Sequence, residues 1–195
     1  YWVAKIDPET WEVVAEFPYR GYRANWITID SAGEYLYIPT SSSSITKLNA
    51  NTGEIPWSQS TGIGPYGSSL NADETEIWVA NKGEATGHIG RTITVLDAEN
   101  GQPRETLFSG YAVDHVLLDP TGKEMWATSN GDGIIYVFDV ETTEQTHVIE
   151  MPGYGQPHGL TWVYYDEKGE GRVVRDQGNF HGGINPAEGM PLVLD

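Results

Sequence analysis

The sequence predicts an all-β fold, on three observations. The 195 residues include 23 glycines and 11 prolines, and 11% of the residues are aromatic, which is typical of short strands joined by tight turns. Apolar and polar residues alternate with a period of two, and no helical periodicity of useful length occurs. Two short sequence phrases also recur along the chain, which indicates that most of the chain consists of copies of one repeated unit.

The first phrase is an apolar stretch, an Asp or Asn, a turn and an aromatic-rich strand. It occurs at 27–38, 69–79 and 116–127. In each copy an aromatic residue stands seven positions after the Asp or Asn; the pairs are Asp30 and Tyr37, Asn71 and Trp78, and Asp119 and Trp126. Asp and Asn favour turns because they bond locally to the backbone and tolerate left-handed conformations. Each copy therefore predicts a strand, a tight turn and a second strand.

The second phrase is an apolar residue, an Asp or Asn, a few turn residues and a polar strand. Its Asp or Asn positions are Asp7, Asn49, Asp97 and Asp139, with a degraded copy at Asp195. Successive positions are 42, 48, 42 and 56 residues apart. Two hairpins in about 42 residues make one four-stranded sheet, which is the blade of a β-propeller. The alternative is a β-sandwich with coincidental spacing, although sandwiches rarely repeat both hairpin signatures in register.

The repeats divide the chain into one propeller domain of about four blades. Residues 1–20 end a blade, 21–64, 65–111 and 112–156 are full repeats, and 157–195 form a partial, divergent blade with a long loop. That last part has strands at 160–165 and 172–175 and a third at 191–195. We expect either part of a larger ring, for example a seven-bladed one, or a four-bladed ring closed by pairing its ends.

A cut ring would expose sheet edges, and a partner protein or missing blades would have to cover them. The chain also opens at Tyr1, without an initiator Met or a signal segment. We therefore expect a processed product or a fragment, from which targeting information has been removed.

Composition excludes several functional classes. The formal net charge is −17, which argues against nucleic acid and against anionic membrane surfaces, because both need clustered Lys and Arg. There are no cysteines, so disulfides, zinc knuckles, thiolate catalysis and iron–sulfur clusters are excluded. No apolar run approaches the ~20 residues of a membrane helix.

The repeats resemble those of a known family. Residues 29–38, 95–101 and 118–127, with the Gly-Gln-Pro-His-Gly hinge at 155–159, are similar to the YVTN-type propeller repeat. That repeat occurs in bacterial and archaeal surface and periplasmic proteins, and the resemblance covers roughly residues 1–165. It implies a periplasmic, secreted or cell-surface binding or structural module that presents a channel mouth and loops to a partner protein or small ligand. The alternative is a copper- or quinone-type oxidoreductase or a lactonase-like subunit, since one fold serves all these roles.

Aligned repeats predict a ligand-binding site at one mouth of the channel. The first strand of each propeller blade lines the channel, so residues at equivalent starts of these strands should converge. Positions five residues before the turn Asp or Asn align in three copies, and Pro157-His158-Gly159 matches Pro65-Tyr66-Gly67 in the fourth. The predicted set is Arg23, Asn25, Tyr66, Asp114, His115 and His158. Convergent polar groups at a concave mouth are the default binding-site hypothesis.

Histidines within this set suggest a divalent metal. His115 and His158, joined by His181, are candidate ligands, with copper as the first candidate ion. The Pro-His-Gly hinge resembles histidine-bearing strands of copper propellers such as nitrous-oxide reductase. The alternatives are that these histidines only hydrogen-bond neighbouring backbone, or that they bind another ligand.

Two loops interrupt the repeat and are candidate interaction sites. Residues 81–91, with His88, are expected on the rim of the propeller, as an interaction loop or a solvated excursion. The segment 176–186 carries Asp176, Asn179 and Asn185, whose oxygens could instead hold calcium; a capped connection is the alternative. No nucleophile elbow or phosphate-cradling motif occurs. The aromatic residues are expected mainly to pack blade against blade, with carbohydrate stacking as the alternative.

Overall fold

A computed structural model describes residues 1–177, and β-strands account for nearly all of its regular structure. The strands are β1 (Trp2–Ile6), β2 (Val13–Pro18), β3 (Thr28–Ile29), β4 (Tyr35–Thr40), β5 (Ser44–Asn49), β6 (Trp57–Ser60), β7 (Pro65–Leu70), β8 (Glu76–Asn81), β9 (Thr92–Asp97), β10 (Pro103–Phe108), β11 (Val113–Leu118), β12 (Glu124–Ser129), β13 (Ile134–Asp139), β14 (Gln145–Glu150), β15 (Thr161–Tyr165) and β16 (Gly171–Asp176). A 3-10 turn lies at Pro152–Tyr154. Within 1–177 no helix is long and apolar enough to cross a membrane.

The strands form antiparallel meanders in which each strand pairs with the next. Three sheets have four strands, in the orders β3-β4-β5-β6, β7-β8-β9-β10 and β11-β12-β13-β14; we call them the first, second and third blades. The hairpin β1–β2 precedes them and the hairpin β15–β16 follows; these are the leading and trailing hairpins. Together they make a partial β-propeller of about four blades, which confirms the fold class that the repeats predict.

Two kinds of turn, each beginning at Asp or Asn, alternate along the chain. Between the first and second strands of a blade, the third residue after the Asp or Asn donates its N–H to that residue's carbonyl; between the third and fourth strands the fourth residue does so. The donors are Gly33, Glu74 and Gly122 in the first kind and Gly53, Gly101 and Thr143 in the second. The leading hairpin has the second kind, from Trp11 to Asp7, and the trailing hairpin the first, from Gly169 to Asp166. The leading hairpin therefore corresponds to the outer half of a blade and the trailing hairpin to the inner half.

The core lies between the faces of neighbouring blades. One buried cluster joins the first and second blades around Tyr37 and Leu96, and another joins the second and third around Trp78 and Phe138. The repeated aromatic position supplies Tyr37 and Trp78 to this packing, and both are buried. The ring of Trp126 packs edge-on against Trp162 of the trailing hairpin, with centroids 4.9 Å apart. Burial of these large rings is a main source of stability in such a stack.

Hydrogen bonds also join the innermost strands of successive blades. Thr28 on β3 donates to the carbonyl oxygen of Ser68 on β7 at 2.9 Å. Ser69 on β7 accepts the N–H of Leu118 on β11 at 3.3 Å. Neighbouring first strands are thereby held side by side, which fixes the positions of the side chains at their starts.

Candidate functional site

Each complete blade has one extra residue in its innermost strand, close to the start. Pairing runs from Pro65–Asn81 to Ser68–Val79 in the second blade and from Val113–Ser129 to Val116–Ala127 in the third. Three steps on the inner strand therefore match two steps on its neighbour, which defines a β-bulge. In the first blade the same surplus separates the bridge Ala24–Thr40 from the pair Thr28–Tyr37. A bulge breaks the alternation of a strand and re-aims the side chains within it.

The bulge in the third blade brings consecutive residues to one site. Asp114 and His115 would lie on opposite faces of a regular strand, yet a ligand atom of each lies within 4.8 Å of the other and of one from His158. One carboxylate oxygen of Asp114 contacts Nδ1 of His158, and the other pairs with Nζ of Lys82 at 3.0 Å. We call Tyr66, Lys82, Asp114, His115 and His158 the mouth cluster.

Aromatic contacts complete the cluster. The ring centroid of His115 is 4.8 Å from that of His158, 5.2 Å from that of Tyr66 and 4.7 Å from that of Trp26. The ammonium of Lys82 lies 4.2 Å from the centre of the Tyr66 ring, a cation–π contact. His115 is thus enclosed by rings from three neighbouring parts of the propeller.

Burial differs sharply among the charged members. The side chain of Asp114 is 0% exposed, that of Lys82 is 23% exposed and that of His158 is 58% exposed. The buried carboxylate therefore lies beneath an imidazole that reaches solvent. A buried carboxylate lowers the stability of the folded protein unless a positive charge compensates it. The ammonium group of Lys82 supplies that charge here.

Protonation follows from these surroundings. Burial lowers the pKa of His115 to about 4, although the charge of Asp114 partly opposes this change. His115 is consequently a neutral imidazole near pH 7, with a lone pair on one ring nitrogen. Partial burial of Lys82 opposes its charged form, but the hydrogen bond and charge of Asp114, with the charge of Glu84, raise the lysine pKa on balance.

Two residues fix the positions of the histidines. Thr128 on β12 donates its hydroxyl to the carbonyl oxygen of His158 at 2.7 Å and accepts the N–H of His115 at 3.0 Å. Gly67 lies against His115, and a Cβ at this position would be 2.9 Å from the His115 Cα. The absence of a side chain at position 67 therefore leaves room for the imidazole.

The other two residues predicted at the mouth, Arg23 and Asn25, contact neighbours of the mouth cluster. Asn25 donates to the carbonyl oxygen of Pro65 at 2.7 Å, so it ties the first blade to the second. Arg23 pairs with Glu84 at 3.2 Å, and Glu84 also lies 3.6 Å from Lys82. Arg23 is thus connected to the mouth cluster through Glu84, whereas Asn25 supports the surrounding backbone.

The expected position of the 81–91 loop is wrong. The repeat pattern predicts this loop on the rim of the propeller, but Gly83 and Glu84 donate their N–H groups to the carbonyl oxygen of Gly64, beside the start of β7. The reason is topological: in an antiparallel pair, the second strand ends where the first begins. The start of the loop therefore lies beside the start of β7 and supplies Lys82, a residue absent from the predicted set. The described contacts of His88 are made by its backbone, to Thr86.

The second predicted loop begins later than expected. Asp176 is the last residue of β16 and pairs with Thr161 in the register of the trailing hairpin, so it is a strand residue. The other residues proposed for this region lie outside the described residues; they are Asn179, His181 and Asn185. Among the predicted metal ligands the structure therefore brings together His115 and His158, with Asp114 as the third group.

Comparison with solved structures places the fold of this chain among β-propellers. The chain is similar to hydrazine synthase from Kuenenia stuttgartiensis, with 20% identity, a TM-score of 0.61 and coverage of 77% of this chain and 49% of the other. It is also similar to the propeller domain of Cps50 (Swd1) from Myceliophteria thermophila, with 16% identity, a TM-score of 0.56 and coverage of 78% and 52%. The WD40 repeats of RRP9 give 13% identity, a TM-score of 0.59 and coverage of 79% and 52%.

These likenesses define the class of fold. The chain spans about half the length of each of these structures. The sequence matches no protein-family model and no curated protein. The protein is therefore a partial β-propeller similar in architecture to WD40-type propellers, and membership of the YVTN-type repeat family stays a prediction.

Proposed function

We propose that this chain is a β-propeller binding module that works outside the cytoplasm and presents the mouth cluster to a small ligand or a partner protein. One observation carries the proposal: side chains from two blades, the following hinge and an inserted loop converge on a single buried carboxylate. The members come from β7, the 81–91 loop, β11 and the hinge before β15.

The chemistry of the cluster favours binding over a purely structural role. An apolar side chain at position 114 would fill the same place without the cost of burying a charge. Instead, Asp114 is fully buried and its partners His158 and Lys82 are both accessible to solvent. Buried charges whose partners are accessible to solvent are typical of functional sites.

Placement outside the cytoplasm is supported by the similarity of the repeats to those of surface and periplasmic YVTN-type propellers. The net charge of −17 agrees with a ligand or partner other than nucleic acid. Fractionation of the source cells, followed by detection of this chain with an antibody, tests the location directly.

An enzyme subunit is the second candidate function, as an oxidoreductase or lactonase-like protein. The specific observation in its favour is the group of two imidazoles and one carboxylate within 4.8 Å.

Ligand-observed NMR tests the binding function. The full chain is screened with a library of small polar fragments that contains carboxylates, phenols and sugars. We expect fragments whose saturation-transfer signal is lost in His158→Ala and retained in His147→Ala, because His147 is an exposed histidine on the outer strand β14. Absence of hits, or hits that are unaffected by His158→Ala, would overturn the proposal.

A further inference from the structure

We infer that the mouth cluster is a divalent transition-metal site in which Asp114, His115 and His158 are the ligands and Lys82 occupies the carboxylate when the metal is absent. This inference rests on the proposed function, because it names the ligand class of the same site. It adds two groups to the predicted histidine ligands: the buried carboxylate of Asp114 and the ammonium of Lys82, which competes with the metal.

The spacing of the ligand atoms suits one ion after a small movement. The three ligand atoms lie within 4.8 Å of one another, whereas two donors about 2.1 Å from the same ion are at most about 4.2 Å apart. The side chain of His158 is 58% exposed and has room to adjust, whereas that of Asp114 is completely buried. The site therefore combines two buried ligands, Asp114 and His115, with one exposed ligand, His158.

The side chains around the two buried ligands also prepare the site. Nδ1 of His115 is buried beside Gly67 and has no hydrogen-bond partner in the described part of the chain. The hydroxyl of Thr128 accepts the backbone N–H of His115 and donates to the backbone carbonyl oxygen of His158, so it holds both histidines in place. A ligand held in place before the ion arrives loses little entropy on binding, which favours affinity.

The ligand types select the class of metal. Two imidazoles and one carboxylate suit zinc, copper, nickel or iron, whereas calcium prefers oxygen ligands alone. Three protein ligands leave at least one coordination position for water or another ligand. The mouth cluster thus fits a transition metal that remains able to bind a further molecule.

Lys82 competes with the metal for Asp114. Its ammonium lies 3.0 Å from one carboxylate oxygen, and a second cation at that distance is strongly repelled. Glu84 lies 3.6 Å from the same ammonium and offers an alternative partner. Metal binding should therefore move Lys82 from Asp114 to Glu84, and removal of its charge should tighten metal binding.

Metal titration tests the inference. The full chain, stripped with a chelator and dialysed, is titrated with Zn²⁺ in a calorimeter and with Cu²⁺ while its electron paramagnetic resonance spectrum is recorded. We expect one ion per chain and a copper signal split by two imidazole nitrogens. His158→Ala and Asp114→Asn should each weaken metal binding by about 10- to 100-fold. Only His158→Ala should also remove the splitting of the copper signal by one of the two imidazole nitrogens. Lys82→Met should tighten binding by about 10-fold or more.

Controls separate this site from adventitious binding and from misfolding. His147→Ala, at an exposed histidine on β14, should leave affinity and spectrum unchanged. Circular dichroism confirms that each variant is folded, and His158→Gln provides a second variant that keeps a hydrogen-bonding side chain. Binding that survives the folded His158→Ala and Asp114→Asn variants, or affinity unchanged by Lys82→Met, would overturn the inference.

The two proposals fail in different ways. If polar fragments bind at the mouth but neither ion does, the binding module stands and the metal site is wrong. If neither fragments nor ions bind, both proposals are wrong.

Discussion

The imidazole of His158 contacts the carboxylate of Asp114, although 44 residues separate them in the chain. Asp114 lies in the bulge of β11, and His158 lies in the hinge that leads to β15. The hydroxyl of Thr128 bonds to the backbone of His115 and His158 and thereby places the two segments side by side. The contact therefore depends on the order of the blades as well as on the two residues.

Lys82→Met should destabilise the metal-free protein more than Asp114→Asn does. Lys82→Met leaves a completely buried carboxylate without its ammonium partner, although the contact with His158 remains, and an incompletely paired buried group costs about 1–3 kcal/mol. Asp114→Asn leaves a lysine that is 23% exposed and has Glu84 within reach, so we expect a smaller loss. Urea unfolding measures both changes.

The double variant Asp114→Asn/Lys82→Met completes this comparison. It removes both charges, so its stability should exceed that of Lys82→Met alone. Equal stabilities of Lys82→Met and the wild type would show that the pair is not desolvated and contradict the prediction.

Gly67→Ala should displace His115 and destabilise the protein by about 1–3 kcal/mol. The added Cβ would lie 2.9 Å from the Cα of His115, on a neighbouring innermost strand. Gly159→Ala is the matched control, because its added Cβ would lie 3.5 Å from Cγ of Gln177, which is an ordinary van der Waals distance. Thermal unfolding distinguishes them; a Gly67→Ala variant as stable as Gly159→Ala would argue against tight packing at His115.

Asp119→Ala should destabilise the third blade by about 1–3 kcal/mol. One carboxylate oxygen accepts the N–H groups of Lys123 and Glu124, both at 2.9 Å, and the other accepts the N–H of Thr121 at 3.0 Å. Asp119→Asn should cost less, because Asn71 occupies the equivalent position and accepts the N–H of Glu76 at 3.0 Å. Equal losses in the two variants, measured by urea unfolding, would refute this account of the turn.

Arg104→Gln should raise the pKa of Asp97 toward its ordinary value. Nη2 of Arg104 bonds to Oδ2 of Asp97 at 2.7 Å, and this bond, followed by the N–H of Asn100, lowers the pKa of that carboxyl. A lowered folded-state pKa means that stability from Asp97 is present above the ordinary value of 3.8 and is lost as the pH falls through the folded pKa. The variant should therefore lose less stability in acid.

Carbon-detected NMR titration of the carboxyl groups measures this change. Asp139 is the internal control, since the N–H of Thr142 is the first cause of its lowered pKa and no arginine contributes. An Asp97 titration unchanged in Arg104→Gln, or an equal change at Asp139, would contradict the assignment.

Local sequence was sufficient to predict the hairpins. Asp30, Asn71 and Asp119 each begin a tight turn, because their side chains accept N–H groups of residues only a few positions away. The aromatic residues seven positions later were expected between blades, and Tyr37 and Trp78 are buried there. These features repeat with the chain, so a pattern in the sequence reports them.

The mouth cluster was only partly predictable. Alignment of the repeats pointed to Tyr66, Asp114 and His158, and adjacency added His115. Lys82 was missed because it follows β8 in an insertion that was expected on the rim. The end of a second strand lies beside the start of the first in any antiparallel blade, and that rule would have placed the insertion at the mouth.

The sequence by itself determined the repeat, the turns and thus the propeller class, because each depends on interactions between residues close in the chain. Only the tertiary structure decided which side chains meet. The bulge in β11 turns both Asp114 and His115 to one site, and the order of the blades brings His158 and Lys82 to them. These contacts join distant segments, and burial and charge compensation among them, rather than any local pattern, fix their geometry.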